Sequence, residues 1–122
     1  MFNMFAITVA LPGTITADAT FFFKVPCACT LREVSACANN GSTAAVNVGT
    51  KADPDKFFDD EDLGDSDTPA VYDLDDFAST AVTNAGDEYP HLDEGDIVAV
   101  GLDVDGSTDP VDPCIVVWFQ EG

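Results

Sequence analysis

Residues 92–119 read LDEGDIVAVGLDVDGSTDPVDPCIVVWF, and this stretch decides the fold class. An acidic turn, Leu92-Asp93-Glu94-Gly95-Asp96, launches an apolar run at 97–103. Asp105-Gly106 opens a second turn, and the turn-rich residues 105–113 lead into another apolar run at 114–119. Short runs of β-branched and aromatic residues bounded by Gly, Pro and Asp are strands. The unbroken apolar character of 114–119 predicts a central strand covered on both faces, with Trp118 in the core. Two such runs joined by one turn-rich loop predict that 114–119 pairs with 97–103 in the interior.

The same pattern extends back along the chain. Residues 5–9 read as a first strand that ends at Pro12-Gly13. The apolar start and Ala17-Asp18-Ala19 have some look of a signal peptide, but no Lys or Arg precedes the apolar run, and the strand reading is preferred. Residues 19–25 (ATFFFKV) are a second strand, stopped by Pro26. Residues 31–38 alternate, with Leu31, Glu33, Ser35 and Cys37 on one face and Arg32, Val34, Ala36 and Ala38 on the other. Asn39-Asn40-Gly41-Ser42 is a strong turn signal, and 44–49 follows with Ala44, Val46 and Val48 on one face, so a hairpin over 31–49 is predicted. Residues 77–83 read as a further strand. Seven or eight short strands with no long amphipathic helix predict an all-β chain, a single-domain β-sandwich over 1–122 that is jelly-roll-like.

Residues 51–76 depart from the pattern. They hold 11 acids, with Phe57, Phe58, Leu63, Val71, Tyr72 and Leu74 as possible anchors, and read as a long acidic excursion with one short element. The whole chain has 23 acids against four bases, a net charge of −19. Residues 1–50 carry two of each, so the later residues hold the entire imbalance. Such acidity opposes nucleic-acid binding, which needs clustered Lys or Arg, and docking on anionic membranes. No apolar run reaches the roughly 20 residues of a membrane span. The neutral first half is the predicted contact surface, with Phe2, Met4 and Phe5 as candidate partner-binding residues and the Asp-rich excursion turned outward.

No catalytic spacing emerges. His91 is the only histidine and no nucleophile can be assigned to it. There is no phosphate loop, dinucleotide-binding glycine motif or nucleophile elbow, and paired carboxylates are expected by chance at this acidity. No enzyme activity, cofactor or tight metal is expected. Cys27, Cys29, Cys37 and Cys114 match zinc spacing poorly and read as small buried hydrophobes. Three of these thiolates with His91 or Cys114 around a metal, or disulfides among the four, are the alternatives. Asp59, Asp60 and Asp62, with Asp103 and Asp105, are weak calcium candidates: they offer hard oxygen ligands. Neither stretch fits the calcium-loop pattern, since the glycine of Asp103-Val104-Asp105-Gly106 comes two residues early.

The segment FFFKVP at 21–26, TLREVSA at 30–36, VNVGT at 46–50, LDEGDIVAVGLDVDG at 92–106 and CIVVWFQEG at 114–122 resemble the head decoration, or cement, proteins of tailed bacteriophages. The likeness covers residues 19–50 and 92–122. The acidic excursion and the cysteines are outside it. The resemblance implies a jelly-roll or related sandwich, a homo-oligomer of the trimeric kind, and a place on the outer face of the virion shell after synthesis in the host cytoplasm. It implies the major capsid protein as partner, a shell-stabilising role and no catalytic residues. Two rivals remain: a carbohydrate- or calcium-binding sandwich module, and an acidic DNA-mimic inhibitor. A core position for Trp118 counts against the first, and the neutral first half against the second.

Overall fold

The computed structural model describes residues 3–65, 68–73 and 89–122. The described residues form strands and no helix: β1 (Met4–Ala10), β2 (Ala19–Lys24), β3 (Cys29–Cys37), β4 (Ala45–Thr50), β5 (Phe58–Asp62), β6 (Ala70–Tyr72), β7 (His91–Leu92), β8 (Ile97–Asp103) and β9 (Cys114–Glu121). One sheet runs β1-β9-β3-β6, with β7 also paired to β3, and the other runs β2-β8-β4-β5. All the pairings between these strands are antiparallel. The chain crosses between sheets at almost every connection, and β4–β5 is a local hairpin. This wrapped order is jelly-roll connectivity, and the expected all-β sandwich is what the chain forms.

Wrapping overturns both expected hairpins. β3 and β4 lie in different sheets, so Asn39-Asn40-Gly41-Ser42 bridges the sandwich instead of closing 31–49 on itself. β8 pairs with β2 and β4, while β9 pairs with β1 and β3, so 97–103 and 114–119 face each other across the core. A turn signal reports a chain reversal. It does not report whether the returning strand pairs beside its predecessor or packs on top of it.

The core is the space between the sheets. Phe58, Phe119, Leu31, Leu63 and Leu102 are its largest fully buried side chains. Phe119 stands at one flank: Phe5 stacks on it at 5.2 Å and Phe23 meets it edge-on at 6.3 Å. The expected alternation in β3 is broken by a bulge between Leu31 and Glu33. The extra residue, Arg32, shifts the phase, and Cys29, Leu31, Val34 and Ala36 all reach the core. Arg32 instead lies 4.0 Å over the ring of Tyr89.

The acidic excursion is more ordered than its composition predicts. It contributes two strands, β5 and β6, and buries Phe57, Phe58 and Leu63, with Tyr72 half-buried and Val71 exposed. Tyr72 Oη donates to the Asp62 carbonyl at 2.6 Å, which joins β6 to the end of β5 across the two sheets. The loop after β4 folds back so closely that a Cβ at Gly49 would collide with the Asp53 and Pro54 backbone. Leu74 and the run at 77–83 lie outside the described residues.

Candidate functional site

The outer face of the β1-β9-β3-β6 sheet is set by cross-strand register. Directly opposed residues share a face, which yields four rows. They are Met4, Gln120, Thr30 and His91; then Ala6, Trp118 and Glu33; then Thr8, Val116, Ser35 and Val71; then Ala10, Cys114 and Cys37. Glu33 is the single carboxylate in these rows. Met4 is 51% exposed, Val71 55% and Trp118 37%. A sheet surface with a single carboxylate and three exposed large apolar side chains is unusual on a chain of net charge −19.

Trp118 therefore departs from its expected core position. Along β9, Ile115, Val117 and Phe119 point inward and are buried, so period-2 alternation sends Trp118 outward. β9 is central within its sheet, as expected, but only one of its faces is covered. Its apolar outer residues make the run look two-sided.

The candidate contact residues of the first strand separate. Met4 lies on this outer face. Phe5, next along the strand, points the other way and packs half-buried on Phe119. Phe2 lies outside the described residues. Sequence reasoning missed Val71 and Val116. Period-2 alternation within 114–119 holds the signal for Val116, but Val71 shares the face only through its tertiary pairing with Ser35.

The opposite outer face, on the β2-β8-β4-β5 sheet, carries exposed Phe22 opposite Ala99 on its β2 side and is acidic toward β4 and β5. A cavity of about 300 Å³ is lined by Asp55, Asp59, Asp60 and Asp103, with Thr20 and Asn47 beside them. Asn47 is buried and organises this wall: its Nδ2 donates to Asp103 Oδ2 at 3.0 Å, and its Oδ1 accepts from the Asp60 N–H at 2.8 Å. Asp60 has a positive φ of 51°, and the Asn47 bond holds that turn. Desolvation, then the charges of Asp55, Asp60 and Asp103, push the Asp59 carboxyl above its ordinary value. Desolvation also raises Asp103, with Asp18 and Asp60 adding to it. A hydrogen bond shared with Asp55 raises Asp53.

Three calcium candidates, Asp59, Asp60 and Asp103, thus come together on one wall with Asp55, which sequence reasoning had not singled out. Asp62 lines a separate depression of about 420 Å³ beside Thr43 and Asp65. Asp105 holds its own turn, accepting from Thr43 Oγ1 and, at 2.9 Å, from the Ser107 N–H. Those bonds lower its carboxyl below the ordinary value. Among the described residues, no three His, Cys, Asp or Glu side chains form an arrangement that holds a metal ion.

The imagined thiolate cluster is also dispersed. Cys29 is buried at the start of β3, its thiol pushed up to about 11 by burial, Cys27 and Asp96. Cys37 ends the same strand, eight residues on, roughly 26 Å away at the rise of a strand. His91 is exposed, 3.8 Å from Asp93. Cys27, Cys37 and Cys114 are half-buried instead of fully enclosed.

No family model matches the sequence, and no curated protein matches it. Among solved structures, a chain titled as the cyanophage Pam1 capsid asymmetric unit is similar. It has 16% sequence identity and a TM-score of 0.56, and the match covers 99% of this chain and 85% of that one. The two share a fold over nearly the whole of the present chain.

Proposed function

We propose that this chain is a non-enzymatic structural protein of a phage virion, a decoration protein that binds the outer surface of the major capsid shell and stabilises it. The observation that carries the reading is the two-faced charge distribution. One sheet presents Met4, Trp118, Val116 and Val71 with a lone carboxylate, and the other presents a wall of aspartates with one exposed aromatic, Phe22, beside it. The fold likeness to a chain of a cyanophage capsid supports the same reading. Docking through this first face buries apolar surface and requires the partner to answer one carboxylate, Glu33, instead of a cluster of them. It leaves the acidic face in solvent, where it keeps neighbouring particles apart. A protein that binds the mature shell and not its precursor stabilises the mature state by mass action. Assembly as a trimer is part of the proposal, with its contacts away from the acidic walls, because packing those together would bring like charges into contact.

The test is co-sedimentation with shells stripped of the protein. Trp118→Asp places a charge at the centre of the face, and binding should fall at least about tenfold, since burying an unpaired carboxylate costs well over 1.4 kcal/mol. The pair Asp59→Asn and Asp60→Asn should bind as the wild type does. Equal binding by Trp118→Asp would remove this face from the docking surface.

One observation favours a second reading. Trp118 is exposed and stands opposite Glu33, an aromatic beside an acid as a carbohydrate-binding module would present. A glycan that quenches or shifts Trp118 fluorescence in the absence of any shell would support that reading over the first.

A further inference from the structure

We propose that Cys37 and Cys114 are a cross-link site, at which a small-molecule disulfide converts two thiols into a cystine joining β3 to β9. The inference rests on strand register and is independent of the capsid reading. Cys37, the last residue of β3, is the direct cross-strand partner of Cys114, the first residue of β9. Directly opposed residues of an antiparallel pair have Cα atoms about 4.5–5.5 Å apart. That interval lies inside the roughly 4.4–6.8 Å spanned by a disulfide. Both side chains sit on the same outer face, and both are half-buried, within reach of a small reagent.

The pairing is clamped beyond the cysteines. The Asn39 N–H donates to the Val111 carbonyl at 2.8 Å, and Asn39 Nδ2 donates to Asp112 Oδ2 at 2.8 Å. Asp112 Oδ1 in turn accepts from the Gly13 N–H at 2.6 Å, and the Asp112 N–H donates to the Gly13 carbonyl at 2.9 Å. The Leu11 N–H closes on the Pro113 carbonyl at 3.0 Å. The strand ends that bear the two thiols are therefore held in register, and forming the bond requires rotation of side chains and little movement of backbone.

The other two cysteines are not competitors. Cys29 points into the core and pairs with Glu121 and Leu92 at the far end of the sheet. Cys27 lies near Glu121 and Glu94 at that same end. Neither can approach Cys37 or Cys114 without unfolding.

The chemistry is thiol–disulfide exchange. One cysteine thiolate attacks a sulfur of oxidised glutathione, forming a mixed disulfide and releasing one glutathione thiolate, which takes up a proton. The second cysteine thiolate then attacks the protein sulfur of that mixed disulfide and releases the second glutathione. Two thiols are oxidised, one small disulfide is reduced to two thiols, and both protons end on glutathione. Burial, with Cys37 alongside, raises the Cys114 thiol above its ordinary value, so the exchange is slow near neutrality and accelerates with pH. The bond closes a loop holding most of the chain, the geometry in which a cross-link most restricts the unfolded state. It forms outside a reducing cytosol, where small disulfides persist.

Reduced full-length protein is incubated with excess oxidised glutathione at about pH 8.5, where an ordinary thiol is half ionised and the Cys114 thiol less so. It is then denatured, alkylated and digested without reductant. The expected product is a peptide pair joined through Cys37 and Cys114, with Cys27 and Cys29 alkylated. The oxidised protein should melt about 10 °C higher than the reduced form and return on adding dithiothreitol. Cys37→Ser and Cys114→Ser should each abolish the link, and Cys27→Ser should leave it. Stable glutathione adducts on both cysteines with no link between them would overturn the proposal. So would a link through Cys27 or Cys29, or a bond between chains. The peptide map of the wild-type protein decides the matter even where a serine variant folds poorly.

Discussion

Trp118 and Phe119 are neighbours on β9 and differ by one step of the pleat, so alanine at each position should give very different losses. Phe119 is fully buried, stacked by Phe5 and met edge-on by Phe23. An aromatic side chain of its kind buries on the order of 200 Å². At about 25 cal/mol per Å² that is roughly 5 kcal/mol as an upper bound. Large-to-small changes at such sites cost about 3–5 kcal/mol once partial collapse of the cavity is allowed. Trp118 is 37% exposed on the uncovered face. Its removal forfeits packing on Ala6 and Glu33, together with the strand preference of an aromatic residue, about 1–2 kcal/mol in all. Urea unfolding at fixed salt, with both variants keeping the wild-type m-value, measures the difference. The two ranges differ by about 1–4 kcal/mol, and a gap of about 2 kcal/mol corresponds to roughly 6–12 °C in Tm for a chain of this size. If Trp118→Ala costs as much as Phe119→Ala, the outer face is covered, or β9 is shifted by one residue, a slip that would exchange every inward and outward side chain.

Two aspartates should respond to pH with opposite signs. Asp59 has a folded-state carboxyl raised above its unfolded value, so its ionised form is disfavoured by folding. Asp59→Asn should be more stable than the wild type at neutral pH, and the advantage should disappear as pH falls through the raised folded value and the wild-type carboxyl takes up its proton. Asp105 is lowered by its Thr43 and Ser107 bonds. Asp105→Asn should lose stability above the unfolded value, and that loss should vanish as pH falls through the lowered folded value. Thermal unfolding of each variant across acid pH checks both. For the aspartate wall, calcium and magnesium at equal ionic strength should raise Tm equally, because screening of clustered carboxylates does not distinguish the two ions. A calcium-specific rise measured by calorimetry, lost in Asp59→Asn, would show a built site.

Much of the strand inventory was legible in the sequence because it depends on local chemistry. β8 has the expected limits, since Gly95-Asp96 and the Asp103 end bound an unbroken β-branched run. β1, β2 and β9 differ from expectation by one or two residues at their ends. The inward set of β4, with Val46 and Val48 buried beside Ala44, followed from alternation. β5 and β6 did not, because acidic side chains mask short strands whose support is tertiary: Phe58 on the core and the pairing of Ala70–Tyr72 with β3. The bulge at Arg32 was equally hidden, since a single extra residue leaves no mark in composition.

The proposed docking face was legible in part. The neutral character of the first half pointed to a contact surface, and Met4 lies on a face with a single carboxylate. But that face also takes Trp118 and Val116 from β9 and Val71 from β6, within the acidic part of the chain, so division by sequence position was the wrong partition. Period, turn chemistry and charge are properties of neighbouring residues, and these determined the all-β class, the strand positions and the uneven distribution of acids. Which strands pair is decided by how the two sheets wrap, because a β turn serves a hairpin and a crossover equally well. Only the tertiary structure set β9 between β1 and β3, turned Trp118 to the outside, gathered Asp59, Asp60 and Asp103 on one wall, and brought Cys37 opposite Cys114. Each of these depends on register between segments distant in the chain, and register is fixed by the shared core that those segments bury together.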